Sequence, residues 1–184
     1  MEQAETFRRI AADFTARVDG VDPGGWDAEA PCDGWVARDV VRHLVEWVPW
    51  WVGEGTDHTV TVTADVDDDP AAAWTELRDQ LQALLDRPEA AEETFESEMF
   101  GGAMPLGVAL ERFVTGDVLV HTWDLATATG QDQTIDAEFA AGMYEGMQPM
   151  DAMLRQSGHF GPRVDVADDA DPVTKLIAFT GRTP

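Results

Sequence analysis

Apolar residues recur at helical spacing through most of the chain. Phe7, Ile10, Ala11, Phe14 and Val18 fall on one stripe, which predicts an amphipathic helix over 2–19. Asp19-Gly20 ends it, and Asp22-Pro23-Gly24-Gly25 makes a turn. After a loop from Trp26 to Trp35, a second helix is expected from Val36 to Val52, with Val40, His43, Leu44 and Trp47 along its inner face and Pro49 kinking it or capping its last turn. Residues 56–69 read as a polar loop in which Val60 and Val62 alternate as in a short strand.

Pro70 opens a third helix, 70–87, with Ala73, Trp74, Leu77, Leu81, Leu84 and Leu85 inward. A connection over 88–104 carries a strand-like run, Thr94–Met99, broken by Gly101-Gly102. Pro105 opens the longest helix, 105–129, with Gly130 as its C-cap. A fifth helix is expected over 136–156, a loop over 157–171 and a short closing helix over 172–180. The sum is an all-α chain, a four-helix bundle with an additional short C-terminal helix and short strands in its loops, folded as one domain over 1–184.

Composition narrows the function. Acids outnumber bases 36 to 12, a formal charge of −24, which repels nucleic-acid backbones and anionic membranes. With one cysteine, Cys32, neither an internal disulfide nor a Cys-rich zinc site is available. The N-terminal segment has no apolar core of the signal-peptide kind and no run reaches membrane-spanning length, so a cytoplasmic address is expected.

Of the four histidines, His43 and His121 lie inside apolar helical stretches, where an imidazole needs partners for both ring nitrogens. Asp117 precedes His121 by four residues, so both project from one helical face a turn apart and can reach one ion. His43 would add a third ligand from a facing helix, and two histidines with one carboxylate leave positions open for water or substrate. The same spacing also fits a surface ion pair, and His43 alone fits a core histidine bonded to a carbonyl. Asp124, a turn beyond His121, is either an acceptor that bonds to a ligand residue and orients it or a plain helix-terminal acid. Cys32 beside Asp33 reads as a packed small hydrophobe rather than a reactive thiol, because acidic neighbours disfavour the thiolate. Trp35, Trp47, Trp50, Trp51 and Trp123 are core or pocket wall, with Trp47 and Trp123 the candidates to line an apolar pocket above an ion. His58 and His159 fall in loops and are expected to be solvated.

Two strings carry a resemblance. Pro31-Cys32-Asp33-Gly34-Trp35 followed by Val36 to Leu44, and Asp117-Val118-Leu119-Val120-His121-Thr122-Trp123-Asp124-Leu125-Ala126 followed by Ala128-Thr129-Gly130, resemble signatures of the DinB-like metal-binding proteins related to the N-terminal domain of mycothiol-dependent maleylpyruvate isomerase. The tail from Phe160-Gly161-Pro162 to Ala178-Phe179-Thr180-Gly181-Arg182 resembles a short single-domain branch. The resemblance implies a divalent ion, zinc or nickel, held by His43, Asp117 and His121, and a thiol, mycothiol, as co-substrate. The isomerase has glutamate at the position of Asp117 and a second, C-terminal domain that supplies a catalytic arginine. This chain ends at Pro184, so maleylpyruvate isomerisation itself is not the expectation.

The function expected is therefore a metal-dependent thiol transferase or isomerase acting on a small electrophile. The alternative is a non-catalytic metal- or ligand-binding protein, and a third reading is a buried polar network without an ion. Bundles of this kind commonly form homodimers, but no stretch of the sequence marks an interface.

Overall fold

The computed structural model describes residues 2–156, 158 and 160–184; His159 lies outside them. It is mainly α-helical, with one two-stranded sheet among the described residues. The helices are α1 (Glu2–Asp19), α2 (Ala37–Gly55), α3 (Pro70–Leu85), α4 (Leu106–Ala109), α5 (Gly116–Thr129), α6 (Ala137–Met147), α7 (Asp151–Gln156) and α8 (Pro172–Phe179). Strands β1 (Thr94–Ser97) and β2 (Gly102–Pro105) pair antiparallel, Phe95 opposite Met104. No described helix is long and apolar enough to cross a membrane.

The four longest helical segments close a ring: α1 packs on α3 and α5, and α2 packs on the same two. Their apolar stripes meet inside it. Phe7, Ile10 and Phe14 of α1 are buried against Leu44, Val48 and Trp51 of α2, Trp74, Leu77 and Leu81 of α3 and Val118 of α5. The Trp74 ring stands edge-on to Phe14 at 4.6 Å, and its Nε1 donates to Thr15 Oγ1 at 2.9 Å, so the large ring is buried without stranding its polar atom.

Sequence and structure differ at several places. Helix α2 runs past Pro49 to Gly55. Proline removes one backbone donor there, but the following turn buries Trp51 and Val52, and that packing outweighs one lost hydrogen bond. The helix expected over 136–156 is broken: a 3₁₀ turn, Gln148–Met150, separates α6 from α7, where Pro149 has no N–H to continue the α pattern. Residues Leu110–Thr115, between α4 and α5, form a π-helical segment rather than regular α-helix, with Gly116 N–H reaching back to Glu111 O. Residues 56–69 contain no strand.

The hairpin covers the end of α2. Phe95 stacks on Trp51 with centroids 4.2 Å apart. Gly55 permits this approach, since a Cβ there would sit 2.0 Å from Phe95 Cε2. His58, expected to be solvated, is instead tied to this region: its Nε2 lies 2.6 Å from Glu93 Oε2 and 3.1 Å from an Arg87 guanidinium nitrogen.

Candidate metal centre

Three local structures converge on one end of the ring. The first is the Pro31–Gly34 turn. Trp35 N–H donates to Cys32 O at 3.0 Å, with Gly34 at φ +76, a conformation that costs glycine little. An isolated antiparallel bridge, Glu29 to Val36, closes the turn, and the Asp39 carboxylate then accepts the Val36 N–H at 3.0 Å to start α2. Trp35 is thereby laid over the ring of His121 (centroids 5.8 Å, nearly parallel) and beside that of His43 (5.2 Å).

The second is α2 against α5. His43 Nε2 lies 3.1 Å from Asp117 Oδ2, and His121 Nε2 lies 3.4 Å from Asp117 Oδ1. Trp47 Nε1 also donates to Asp117 Oδ2, at 3.0 Å. One donor atom from each of His43, Asp117 and His121 lies within 4.8 Å of the others. The structure therefore brings together all three residues singled out in the sequence, with Trp47 beside them. His121 is 4% exposed, whereas the His43 and Asp117 side chains keep 32% and 27% of their surface, so the cluster opens outward on that side.

The third is the tail. Asp124 is fully buried, and its Oδ2 lies 2.8 Å from His121 Nδ1. This contact engages Nδ1 and leaves Nε2 as the nitrogen that faces Asp117. Arg182 binds Asp124 through both oxygens, Nε to Oδ1 at 2.6 Å and Nη2 to Oδ2 at 2.7 Å. Sequence reading placed Arg182 only in the tail that resembles the short branch and gave it no part in the site. Cys32 is not a plain hydrophobe: its thiol donates to Asp124 Oδ2 at 3.5 Å and accepts from Arg182 Nη2 at 3.2 Å.

A second group of possible ligands, Cys32, His121 and Asp124, also lies within reach of one point. Its Asp124 oxygens are already engaged by a guanidinium, and a cation placed there would face that charge across a buried space. Among the described residues, no guanidinium is bonded to the His43–Asp117–His121 group.

Electrostatics follow from these contacts. Burial works to raise the Asp117 carboxyl, but the imidazoles of His121 and His43 outweigh it and hold the group well below the usual carboxylate range. Burial opposes charge on His121, yet Asp117 and Asp124 on either side raise its pKa to about 9. Asp124 is likewise held low, its burial outweighed by His121 and Arg182. Burial and then Asp124 push the Cys32 thiol up to about 12, against the pull of Arg182.

Trp123 does not join this site. Two positions after His121 on the helix, it points elsewhere and lines a cavity of about 530 Å³ with Asp132, Ile135, Val173 and Ile177. The lining of that cavity includes none of His43, Asp117 and His121. Trp35 takes the wall position expected of Trp123.

Comparison with known proteins bears on the same segments. Residues 7–126 match the family of the mycothiol maleylpyruvate isomerase N-terminal domain. The chain belongs to that family. The match runs from α1 to Ala126 and so takes in His43, Asp117, His121 and Asp124, while Arg182 lies beyond it. Two uncharacterized proteins of Mycobacterium tuberculosis, from strains CDC 1551 / Oshkosh and ATCC 25618 / H37Rv, are each 28% identical over 192 residues, spanning all of this chain and 99% of theirs. No solved structure matches the chain at a significant level.

Proposed function

We propose that His43, Asp117 and His121 hold one divalent ion, zinc or nickel, and that the protein is a mycothiol-dependent transferase or isomerase acting on a small electrophile. The observation that carries the reading is the approach of both imidazole Nε2 atoms to the two oxygens of one carboxylate, at 3.1 and 3.4 Å. Ligands at about 2.0–2.2 Å from a tetrahedral ion stand about 3.3–3.6 Å from each other, and one donor atom from each of the three residues lies within 4.8 Å of the others, so rotation of these side chains would close the set on an ion. Two nitrogens and one carboxylate suit a borderline divalent metal and leave a position open.

The ion when bound supplies a positive charge that holds a small thiol as its thiolate. The chain's own residues do the rest. His121 is fixed in one tautomer by Asp124, its Nδ1 proton committed and its Nε2 aimed at the site. Trp47 donates to Asp117 Oδ2 and limits how that carboxylate rotates. Trp35 and Trp47 give flat apolar walls against which an electrophile packs and from which they exclude water. The mycothiol assignment is drawn from the family, and the cytoplasm is the compartment in which such a thiol stays reduced.

A non-catalytic structural ion would favour a closed shell with a fourth protein ligand. Asp124, the nearest further carboxylate, is instead committed to Arg182 and His121 Nδ1, and the exposed flank of His43 and Asp117 favours the open, catalytic form. The test is elemental analysis of the purified protein, followed by a mycothiol conjugation assay over a panel of small electrophiles. One ion per chain, lost in His121→Ala together with any turnover, is the expected result. A stoichiometric ion retained by that variant removes the assigned site.

A further inference from the structure

The tail of the chain enters the site without touching the residues assigned to the ion. We infer that Arg182 is a positioning residue for the metal centre: through Asp124 it fixes the ring of His121, so that the turn after α8 sets the affinity of a site it does not contact. The inference rests on the metal reading above, and it adds a residue from outside the segment that matches the family.

The geometry is a relay from Arg182 through Asp124 to His121. Asp124 has no exposed surface and carries a charge, so it needs compensation inside the protein. The guanidinium of Arg182 supplies it as a two-pronged fork, at 2.6 and 2.7 Å, and this planar pairing sets the plane of the carboxylate. The carboxylate plane then sets where Oδ2 meets His121 Nδ1, at 2.8 Å. With that contact made, Nε2 is the nitrogen of His121 left to face Asp117.

Arg182 is in turn placed by the C-terminus of α8. Gly181 N–H donates to Ala178 O and Arg182 N–H to Ile177 O, the pattern of a helix ended by a left-handed residue, and Gly181 has φ +95. A Cβ on Gly181 would lie 2.8 Å from Gly161 Cα, so the turn is pressed against the 161 loop. Arg155 crosses both segments, donating to Gly161 O and Phe179 O and lying over the Phe179 ring. The tail is thus fixed where it reaches Asp124.

The test compares wild type with Arg182→Gln, Arg182→Lys and Asp124→Asn, reading zinc affinity by chelator competition and the visible spectrum of the cobalt-substituted protein. Loss of an outer-shell partner of a metal histidine typically weakens binding 10–100-fold, and a loss in that range is expected for Arg182→Gln and Asp124→Asn, with a changed cobalt spectrum and unchanged far-UV circular dichroism. Arg182→Lys keeps the charge but not the fork, and is expected to recover only part of the affinity. A lowered melting temperature with wild-type zinc affinity in Arg182→Gln would mean a structural role only and overturn the inference. Should that variant fail to fold, the zinc-loaded wild type decides: a slowly exchanging, downfield His121 Nδ1 proton is expected, and its absence overturns the inference as well. Wild-type protein that takes up no zinc removes the metal reading and this inference together, whereas equal zinc binding by wild type and Arg182→Gln removes this inference alone.

Discussion

Raising the pH should have opposite effects on the metal-free and metal-loaded protein, and His121 is the reason. Without an ion its ring lies between two carboxylates, Nε2 3.4 Å from Asp117 and Nδ1 2.8 Å from Asp124, which outweigh the cost of burying charge and raise its pKa to about 9. An ion at Nε2 must displace that proton. At pH 7, about two units below the pKa, proton competition weakens binding about 100-fold, and it relaxes about tenfold per pH unit before levelling off above about pH 9. Fold stability moves the other way in the metal-free protein. A raised histidine pKa stabilises fully below the unfolded value near 6.5, and the contribution is lost as pH rises through about 9. A shift of that size corresponds to up to ~3 kcal/mol. The assay is zinc calorimetry at pH 7 in two buffers of different ionisation enthalpy, paired with thermal melts of both forms from pH 6.5 to 8.5. Release of about one proton per ion, a falling metal-free melting temperature and a growing zinc-induced increment are expected. Zinc affinity that stays flat between pH 7 and 8, with no proton released, would refute the placement of the ion on His121 Nε2.

Three further outcomes follow from single contacts. His43→Ala and Asp117→Asn should each lose stoichiometric zinc by elemental analysis, while Asp117→Glu, which keeps the carboxylate one methylene further out, should retain an ion. Trp51→Ala empties the space between α2 and the hairpin and should cost about 3–5 kcal/mol in urea unfolding, a loss under about 1 kcal/mol contradicting the packing described here. Cys32, with its thiol pushed up to about 12 by burial and Asp124, should resist iodoacetamide at pH 8 in the folded protein and react promptly in denaturant, as followed by mass spectrometry.

What the sequence disclosed, and what it withheld, divides by the range of the interaction. The stripes of α1, α2 and α3 are local periodicities, and the buried positions Phe7, Phe14, Leu44, Trp74 and Leu81 are those on the stripes. The Asp117–His121 pair is local too, one turn apart on one helix. Trp123 is different because α5 is apolar on almost every side: each residue from Val118 to Ala126 is buried, so no stripe distinguishes the face toward α2 from the face toward the tail. The π-helical segment at Leu110–Thr115, immediately before Asp117, has no periodic signature that distinguishes it from α-helix, yet its wider turn resets the rotation of every residue after it. Pro149 did signal a break in its segment, but the apolar pattern on both sides of it reads as one helix.

Arg182 marks the limit most clearly. It stands 58 residues from Asp124, beyond the signature-bearing helices, and its role depends on where a glycine turn leaves the chain. Asp124 alone could have prompted the search. An aspartate flanked by Trp123 and Leu125, in a stretch with no lysine or arginine between Arg112 and Arg155, is a buried acid with no permanently charged local cation, its neighbour His121 being shared with Asp117. The cation must then arrive from elsewhere in the chain, and the bases C-terminal to it are few: Arg155, Arg163, Lys175 and Arg182. Arg155 is held by Asp151 and two carbonyls and Arg163 by Asp151, while Lys175 lies inside α8. Arg182 is the one that follows a turn glycine, at the point where a terminated helix can project a side chain back into the core. A buried acid with no lysine or arginine near it in sequence is therefore a pointer to a long-range basic residue, and in this chain it leads to the one that the helical signatures leave out.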